Sequence, residues 1–417
     1  MRALYTILTH LSYPFLWGSK FFSKKMKLFM EGRKGVLDHL SDHINPGDKT
    51  IWFHCASLGE FEQGLPIMET IREQMPNHKL VLTFFSPSGY EVRKDTKLAD
   101  VVSYLPLDTK TNARRFLEIV HPSLAIFVKY EFWPNYLFEL ERLDIPSLLV
   151  SGLFRPNQVF FKPRGFFMRK ALGTIDHFFV QNVESLELLK SINIENVSVS
   201  GDTRFDRVSR QIEQDNSLAF VEKFKGDGLC LVCGSTWPED EALLLEFVNE
   251  SESHLKFVIA PHSIDEAKIE SFRSKLKKPS VRFSTMENED IEGASIFILD
   301  TIGLLTKVYS YADIAYVGGG MGTSGLHNIL EPATFGVPII IGKNYQNFPE
   351  AVRLESLAGL FSVRTSEEFT SVMNKLILDN DLRNKTGMIC GHFVNGNTGA
   401  TDLIMAHIRS LHGNGLI

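Results

Sequence analysis

The sequence has 417 residues, of which 44% are hydrophobic, and a formal net charge of −6 at pH 7. This length suffices for two globular domains with cores of their own, and the negative charge gives no reason to expect nucleic acid as a partner. Four cysteines in a chain of this size do not make a disulfide framework, so the composition favours a reducing compartment.

The first 30 residues differ from the rest of the chain. Apolar residues on one helical stripe are Leu4, Leu8, Leu11, Phe15 and Phe22, and the basic residues that follow are Lys20, Lys24, Lys25, Lys27, Arg33 and Lys34. Polar residues and Pro14 make the stretch unsuitable for spanning a bilayer, which takes about 20 apolar residues. We predict that residues 1–30 form an amphipathic segment on anionic lipid, with Tyr13 and Trp17 at headgroup depth. The alternative is an amphipathic helix packed on its own domain.

From residue 50 onward, apolar runs that predict strands alternate with stretches that predict helices. The strand candidates are TIWFHCAS, KLVLTFFS, VVSYLPL, LAIFVKY, SLLVSG, HFFVQN and VSVSG in the first half, and LCLVCGS, KFVIAPH, SIFILD, DIAYVGG, VPIIIG and LFSVR in the second. This alternation is typical of parallel sheets covered by helices on both faces. About six strands in each half predict two doubly wound domains, at residues 31–205 and 206–417, with the last helix a candidate to cross back to the first domain.

Helix starts that follow strands are the first candidate binding positions, because ligands of such sheets bind beyond the carboxyl ends of the strands. Residues 57–60, 236–239 and 263–266 each read [S/T]-x-x-E, the pattern of a capping box. A helix start aimed into a cleft also binds anions. Ser235 and Thr236 are therefore candidate phosphate ligands.

A glycine-rich stretch at residues 316–340 contains a literal G-x-G-x-x-G. It lies too late in the chain to open a dinucleotide-binding domain, and Lys343 rather than an acid follows the next strand. The next helix is expected to begin only near residues 328–332. What remains is a flexible glycine loop that lets the backbone approach a phosphate or base, followed by Glu331, a carboxylate suited to the hydroxyls of a ribose.

Four segments in order along the chain carry a resemblance to one family. They are FHCASLGEFEQGLPI (residues 53–67), KYEFWPN (129–135), CGSTWPEDE (233–241) and YADIAYVGGGMGTSGLHNILEPATFGVPIIIG (311–342). Together they resemble the 3-deoxy-D-manno-octulosonic acid (Kdo) transferases of lipid A assembly, and the resemblance runs from about residue 1 to residue 410.

The resemblance implies an α/β fold of the GT-B type, with two facing doubly wound Rossmann-like domains and a cleft between them. It implies inverting transfer of Kdo from CMP-Kdo to a lipid A precursor (lipid IVA), with neither a metal nor another cofactor. The enzyme would act at the cytoplasmic face of the bacterial inner membrane, held there peripherally or monotopically by its N-terminus. The alternatives are another GT-B enzyme with a different sugar nucleotide, or a non-catalytic nucleotide-binding protein docked at the membrane.

The resemblance also assigns site residues. Glu60 is the general base and Glu131 the second acidic position, although each could be only a helix cap. The candidate donor-binding residues are Ser235, Thr236, His262, Gly319, Gly320, Asn328, Glu331 and Lys343. The candidate cations for the acceptor phosphates and the Kdo carboxylate are Lys129, Arg155, Arg164 and Arg204.

Two features of the sequence leave choices open. The family has a P-R-H triplet where this chain has Pro261-His262-Ser263, so the contact of the absent arginine must come from His262, Arg204 or Lys343. The segment FRPNQVFFKPRGFFMRK is either a solvated basic surface or, through its five phenylalanines, a surface that faces lipid.

Overall fold

The computed structural model describes the backbone of residues 2–251, 254–415 and 417, and the side chains of these residues except 2–4, 10 and 13. The chain divides into two compact units, one made of Met1–Arg207 with Thr398–Ile417 and the other of Val208–Asn397. The sequence places the boundary after residue 205, and the first unit ends at Arg207, within a helix.

The first unit is built on a parallel sheet. The strands that the described residues form there are β1 (Lys49–Cys55), β2 (His78–Phe84), β3 (Val101–Tyr104), β4 (Pro122–Val128), β5 (Ser147–Gly152), β6 (His177–Val180) and β7 (Val197–Val199). Their order is β3-β2-β1-β4-β5-β6-β7, with every pair parallel. The direction of winding reverses between β1 and β4, and such a switch point is where open α/β sheets bind ligands.

Helices cover both faces of this sheet. They are α1 (Arg2–Ser19), α2 (Lys24–Glu31), α3 (Val36–His43), α4 (Leu58–Gln74), α5 (Pro87–Arg93), α6 (Lys110–Val120), α7 (Pro134–Arg142), α8 (Phe166–Leu172), α9 (Val183–Lys190) and α10 (Thr203–Arg210). Neighbouring strand residues enter different cores, as Trp52 joins one cluster and Phe53 another. Because successive side chains of a strand point to opposite faces, a strand buried on both sides is continuously apolar, which explains the predicted pattern.

The second unit repeats the architecture. Its strands, among the described residues, are β8 (Leu229–Thr236), β9 (Leu255–Pro261), β10 (Ser280–Arg282), β11 (Ile296–Ile298), β12 (Ile314–Val317), β13 (Ile339–Gly342) and β14 (Leu360–Val363), in the parallel order β10-β11-β9-β8-β12-β13-β14. The switch point lies between β8 and β12. All predicted strands are confirmed, and β10 was missed. It is a short edge strand that ends in Arg282, a buried cation balanced by Asp300 at 2.7 Å and Glu266.

The remaining helices complete both units. They are α11 (Ala219–Lys225), α12 (Pro238–Glu250), α13 (Glu266–Arg273), α14 (Leu305–Val308), α15 (Leu330–Thr334), α16 (Pro349–Ser356), α17 (Ser366–Leu378), α18 (Asn380–Asn395) and α19 (Ala400–Gly413). The last of them, α19, belongs to the first unit, where Ile404, Met405 and Ile408 enter the same core cluster as Phe53 of β1.

Two of the predicted capping boxes are wrong. Pro238 occupies the first position of α12, so the residue three positions after the cap is Asp240, which accepts the Trp237 N–H at 2.9 Å in place of Glu239. In α13 the cap is Asp265, which accepts the Lys268 N–H, while Glu266 pairs with Arg282. The helices begin one and two residues later than the pattern indicates, which shifts the capping role to another acid.

The N-terminal helix α1 is attached to the first unit by polar side chains. The Tyr5 hydroxyl donates to Asp108 at 2.8 Å, and the Thr6 hydroxyl donates to Asn135 at 3.4 Å. Exposed apolar residues of this N-terminal region are Ile7, Leu8, Leu11, Phe15, Trp17, Phe21 and Phe22, whereas the side chain of Tyr13 lies outside the described residues. Within the described part of the chain, we find no helix with the length and hydropathy needed to cross a bilayer.

Candidate active site

Glu60 lies in the first turn of α4, directly beyond β1 at the switch point of the first unit. The Ser57 hydroxyl donates a hydrogen bond to Glu60 Oε2, and Ser57 makes no capping bond to the helix backbone. The reciprocal capping box that the sequence allows is therefore not formed. The carboxylate of Glu60 is largely buried, with 9% of the residue exposed, and is oriented by a hydroxyl rather than used to cap the helix.

Glu131 lies between β4 and α7 and bonds to an indole. Trp133 Nε1 donates to Glu131 Oε2 at 3.1 Å and to His54 Nε2 at 3.0 Å. The helix begins at Pro134 with Trp133 as its cap, so the alternative that Glu131 is a helix cap is wrong. Because His54 Nε2 accepts the indole proton, the ring proton is assigned to Nδ1, which lies 2.9 Å from Thr83 Oγ1.

The carboxylates of Glu60 and Glu131 both influence the pKa of one buried residue, Cys55. Burial and then the charges of Glu60 and Glu131 raise the pKa of the Cys55 thiol at the end of β1. The structure thus brings the two predicted acidic residues to neighbouring strand ends, since β1 pairs with β4. Glu62, two residues after Glu60, instead forms an ion pair with Arg93 at 2.9 Å and is less suited to act as a base.

The predicted cations of the first unit lie in three different segments of the chain. Lys129 follows β4 in a left-handed conformation, with φ of 72°. Arg204 donates to Asp202 at 2.9 Å. Burial favours the protonated acid, but the Arg204 guanidinium and the hydrogen bonds outweigh it and lower the pKa of Asp202. Arg155 and Arg164 are exposed in the segment between β5 and α8. Among the described residues, neither forms an ion pair with Glu60 or Glu131.

The basic segment between β5 and α8 does not present five aromatic rings to lipid. Phe154 and Phe160 are buried in the core of the first unit, and Phe161 and Phe167 pack against it. Only one of the five, Phe166, is strongly exposed, at 66%. The interpretation of this segment as a broad aromatic surface is therefore wrong, because the chain folds back and turns most of these rings inward.

Glycines bring three strand ends of the second unit into backbone contact. A Cβ atom on Gly318, after β12, would lie 2.3 Å from the carbonyl oxygen of Ser235 in β8. A Cβ atom on Gly342, at the end of β13, would lie 2.3 Å from the nitrogen of Met321. Gly319 adopts φ of 89°, which few other residues tolerate. The predicted glycine loop is therefore a close-packed crossing of backbones at the switch point.

Asp240 holds this glycine loop to the start of α12 and was missed by the sequence analysis. Its fully buried carboxylate accepts the N–H of Gly319 at 2.8 Å and the hydroxyl of Tyr316 at 2.7 Å, in addition to the Trp237 N–H. The signal available in the sequence was the acidic run PEDE, in which nothing distinguishes Asp240 from its neighbours.

The two residues predicted to bind phosphate at the end of β8 differ in their surroundings. Thr236 is buried, and its hydroxyl donates to Glu241 Oε1 at 3.3 Å; burial raises the pKa of Glu241. Ser235 is half-buried and adopts φ of 54°. The hydroxyl of Thr236 is thus engaged within the protein, which leaves Ser235 as the better candidate ligand.

Three aromatic rings form a cluster beside the glycine loop. The Trp237 ring stacks on His262 at 4.3 Å between centroids, and its indole nitrogen donates to His327 Nε2 at 3.1 Å. Burial lowers the pKa of His262. Burial and the neighbouring His262 lower the pKa of His327 to about 4. His262 is therefore neutral at pH 7 and does not replace the positive charge of an arginine.

Glu331 lies in the first turn of α15, as predicted. Its two carboxylate oxygens accept hydrogen bonds from Asn328 Nδ2 at 3.3 Å and from the Thr306 hydroxyl at 3.2 Å. The Asn328 side chain also accepts the N–H of Leu330, where the helix begins. Lys343 is exposed immediately after β13. Across the described ranges, no set of three or more His, Cys, Asp or Glu side chains is placed to hold a metal ion.

Comparison with known proteins agrees with this geometry. A family model described as 3-deoxy-D-manno-octulosonic-acid transferase matches residues 29–207. The chain is 28% identical over 336 residues to a 3-deoxy-D-manno-octulosonic acid transferase from Aquifex aeolicus, which covers 78% of this chain and 86% of the relative. It is 27% identical over 368 residues to a bifunctional glycosyltransferase/methyltransferase from Fusobacterium nucleatum, with 85% of this chain covered. The chain spans only 56% of the length of that relative.

The fold is shared with solved structures of low sequence identity. A UDP-GlcNAc 2-epimerase from Neisseria meningitidis superimposes with a TM-score of 0.61 at 14% identity, covering 87% of this chain and all of the other. This likeness supports the α/β GT-B fold. The sequence relatives extend well beyond the segment that the family model matches. Over most of its length the chain is therefore similar to 3-deoxy-D-manno-octulosonic acid (Kdo) transferases, and this similarity supports a glycosyltransferase.

Proposed function

We propose that this enzyme transfers Kdo from CMP-Kdo to a hydroxyl group of a lipid A precursor, lipid IVA, with inversion at the anomeric carbon and without a metal ion. The observation that carries the proposal is the Ser57–Glu60 pair at the switch point of the first unit. It lies within the segment that the family model matches.

Glu60 is the general base of this mechanism. Its carboxylate takes the proton of the acceptor hydroxyl as the oxygen attacks the anomeric carbon of Kdo. The new bond from oxygen to carbon forms on one face, while the bond to the CMP phosphate breaks on the other and its electron pair leaves with CMP. The bond from Ser57 orients Glu60, so that the free oxygen meets the acceptor.

The second unit supplies the donor site. CMP leaves with negative charge, which needs fixed hydrogen-bond donors more than a proton. We assign the phosphate to the backbone around Gly319 and Gly320 and to the Ser235 hydroxyl. Lys343 supplies the positive charge in place of the absent family arginine, since His262 is neutral at pH 7 and Arg204 pairs with Asp202. Glu331, held by Asn328 and Thr306, accepts the ribose hydroxyls.

The exposed apolar residues of α1 support membrane docking. Leu8 and Leu11 are more than half exposed, at 57% and 58%, and Phe15 reaches 79%. Tyr5 and Thr6 anchor the helix to the first unit. A helix of this kind lies in the interface of a membrane, which supports the proposal that the enzyme acts at the cytoplasmic face of the inner membrane, where anionic lipid attracts the basic residues that follow.

The test is a mass-spectrometric assay with purified protein, solubilised tetraacylated lipid A precursor and CMP-Kdo generated in situ. We expect the lipid mass to increase by one or more Kdo units. Glu60→Gln should reduce kcat by roughly 10²–10⁴-fold, the usual contribution of a general base. The matched control is Glu62→Gln, which removes the same charge two residues away and should retain most of the activity. An unchanged lipid mass with active donor, or full activity of Glu60→Gln, would refute the proposal.

A further inference from the structure

A cavity of about 620 Å³ lies in the first unit, apart from Glu60 and Glu131. Its walls are the turn between α2 and α3, the segment that follows β3, the first turn of α6 and Thr9 of α1. A volume of this size is within the range of roughly 300–1,000 Å³ that small-molecule sites occupy. Neither the acceptor hydroxyl nor the donor sugar requires it in the mechanism proposed above.

Three cationic side chains line the cavity, from Arg33, Lys34 and Arg115, against one carboxylate, from Asp38. Lys34 and Arg115 are exposed, and neither forms an ion pair with any residue that the structure describes. Two unpaired cations and one fixed guanidinium in a single concave site attract an anion.

The guanidinium of Arg33 is fixed in place, and no carboxylate among the described residues pairs with it. It donates to the carbonyl oxygens of Phe29, Phe85 and Leu105 at 2.7–3.0 Å, and it lies 3.7 Å from the centre of the Phe29 ring. Burial lowers the pKa of Arg33 to about 10, so the group stays protonated at neutral pH. The three bonds use three of its five N–H donors, and two remain for a ligand.

Two helix starts reinforce the positive potential of the cavity. The first turn of α3 lines it, and the cap of that helix is Gly35, which has no side chain to cover the free N–H groups. The first turn of α6 lines it as well, through Thr109 and Asn112. The N-terminal end of a helix carries partial positive charge and favours anions, phosphate among them.

The position of the cavity indicates the source of the anion. Thr9 of α1 forms part of its wall, and Leu8 and Leu11 of the same helix are exposed. If α1 lies in the membrane interface, as the proposed function has it, the cavity lies next to a helix bound to lipid, since Thr9 forms part of its wall. We propose that the cavity binds the phosphate group of a membrane lipid headgroup, with Arg33, Lys34 and Arg115 as its cationic ligands.

The experiment compares full-length protein on two kinds of vesicle by co-sedimentation. One kind contains phosphatidic acid in phosphatidylcholine, and the other contains cholesteryl hemisuccinate at equal surface charge, so that phosphate is replaced by carboxylate. The test variant is Lys34→Gln with Arg115→Gln. The matched control is Lys24→Gln with Lys25→Gln, which removes two exposed charges from α2 outside the cavity.

We expect the unmodified protein to bind the phosphatidic acid vesicles roughly tenfold more tightly, as charge-assisted hydrogen bonds to phosphate would give. The Lys34/Arg115 variant should lose this preference, while the Lys24/Lys25 variant should bind both vesicles more weakly and keep it. Equal losses in both variants on both vesicles would overturn the proposal, because general electrostatic attraction would then explain the binding.

A soluble arm separates lipid phosphate from free phosphate. Stabilisation of the unmodified protein by inorganic phosphate alone, with no preference between the vesicles, would overturn the assignment to a lipid. If added lipid A precursor abolishes the preference for phosphatidic acid vesicles and added phosphatidic acid does not, the cavity would be assigned to the acceptor instead. This outcome would also overturn the assignment to a membrane lipid. All readouts are binding measurements, so the inference can fail while Kdo transfer is confirmed, and the reverse.

Discussion

The backbone N–H of Gly319 donates a hydrogen bond of 2.8 Å to Oδ2 of Asp240, a residue 79 positions earlier in the chain. This bond joins the loop after β12 to the first turn of α12, and the same carboxylate also accepts the hydroxyl of Tyr316. The glycine loop, to which we assign the donor phosphate, is thus held by the buried charge of Asp240 rather than by its own sequence.

Asp240→Asn should destabilise the protein. An amide offers one acceptor oxygen where the carboxylate offers two, and its NH₂ group would face the buried donors of Gly319 and Trp237. We expect the free energy of unfolding to fall by about 2–4 kcal/mol, the scale of charged hydrogen bonds and unsatisfied donors, in urea denaturation. The control is Glu239→Gln, an exposed neighbour, which should change the free energy of unfolding by less than about 0.5 kcal/mol. Equal effects would show that Asp240 is not the anchor.

Gly342→Ala should disturb the same loop from the β13 side. The new methyl group would lie 2.3 Å from the nitrogen of Met321, so the glycine loop must move. We expect CMP to bind at least roughly tenfold more weakly by isothermal titration, because such overpacking costs about 1–3 kcal/mol. Gly47→Ala is the matched control, since a Cβ atom there meets nothing within 4 Å. Unaltered CMP affinity in Gly342→Ala would separate the loop from donor binding.

Membrane docking by α1 predicts a specific loss. Replacing Leu8, Leu11 and Phe15 by glutamate removes exposed apolar area that would otherwise enter the interface. Binding to anionic vesicles should weaken roughly a hundredfold, since each side chain contributes at least about 1 kcal/mol. Flotation with vesicles measures it.

The matched control for docking uses apolar residues that are exposed elsewhere. Ile302 and Leu378 of the second unit are 88% and 85% exposed, and their replacement by glutamate should leave vesicle binding unchanged. If both sets of changes weaken binding equally, α1 is not the docking element.

The histidine pair of the first unit predicts a loss of stability in acid. Burial and the neighbouring His407 lower the pKa of His177 to about 4. The unfolded chain binds a proton on this residue near pH 6.5, whereas the folded protein binds it only near pH 4. Between these pH values protonation favours the unfolded chain. The contribution of His177 to stability is therefore fully present above pH 6.5 and is lost as the pH falls toward 4. We expect the contribution to the free energy of unfolding to decline by less than about 1.4 kcal/mol per pH unit in this window.

Chemical denaturation between pH 4 and pH 7 tests this titration. His177→Gln should flatten the pH dependence relative to the unmodified protein, and His39→Gln, at an exposed position on α3, should not. An identical slope in all three proteins would rule out His177 as a source of the acid sensitivity.

Much of the architecture could be predicted because buried parallel strands leave a local signature. Every apolar run that we took for a strand is one, and the glycine loop, the late start of α15 and the first-turn position of Glu331 follow the prediction. β10 escaped because an edge strand of three residues that ends in Arg282 has no such signature. Its charge is tolerated only because Asp300 and Glu266, from other segments, neutralise it.

The strands, the family resemblance and the residue types that carry the chemistry could be predicted from the amino-acid sequence, since these are properties of short segments. The hydrogen-bond partners of the acidic residues, in contrast, follow from the tertiary structure. Glu60 accepts a hydrogen bond from Ser57, and Glu131 accepts one from Trp133. Asp240, rather than Glu239, holds the glycine loop through the N–H of Gly319. Most of the phenylalanines in the basic segment between β5 and α8 likewise lie in the core of the first unit or pack against it. The physical reason is that hydrogen bonding and burial depend on contacts between residues distant in the chain, which local patterns do not contain.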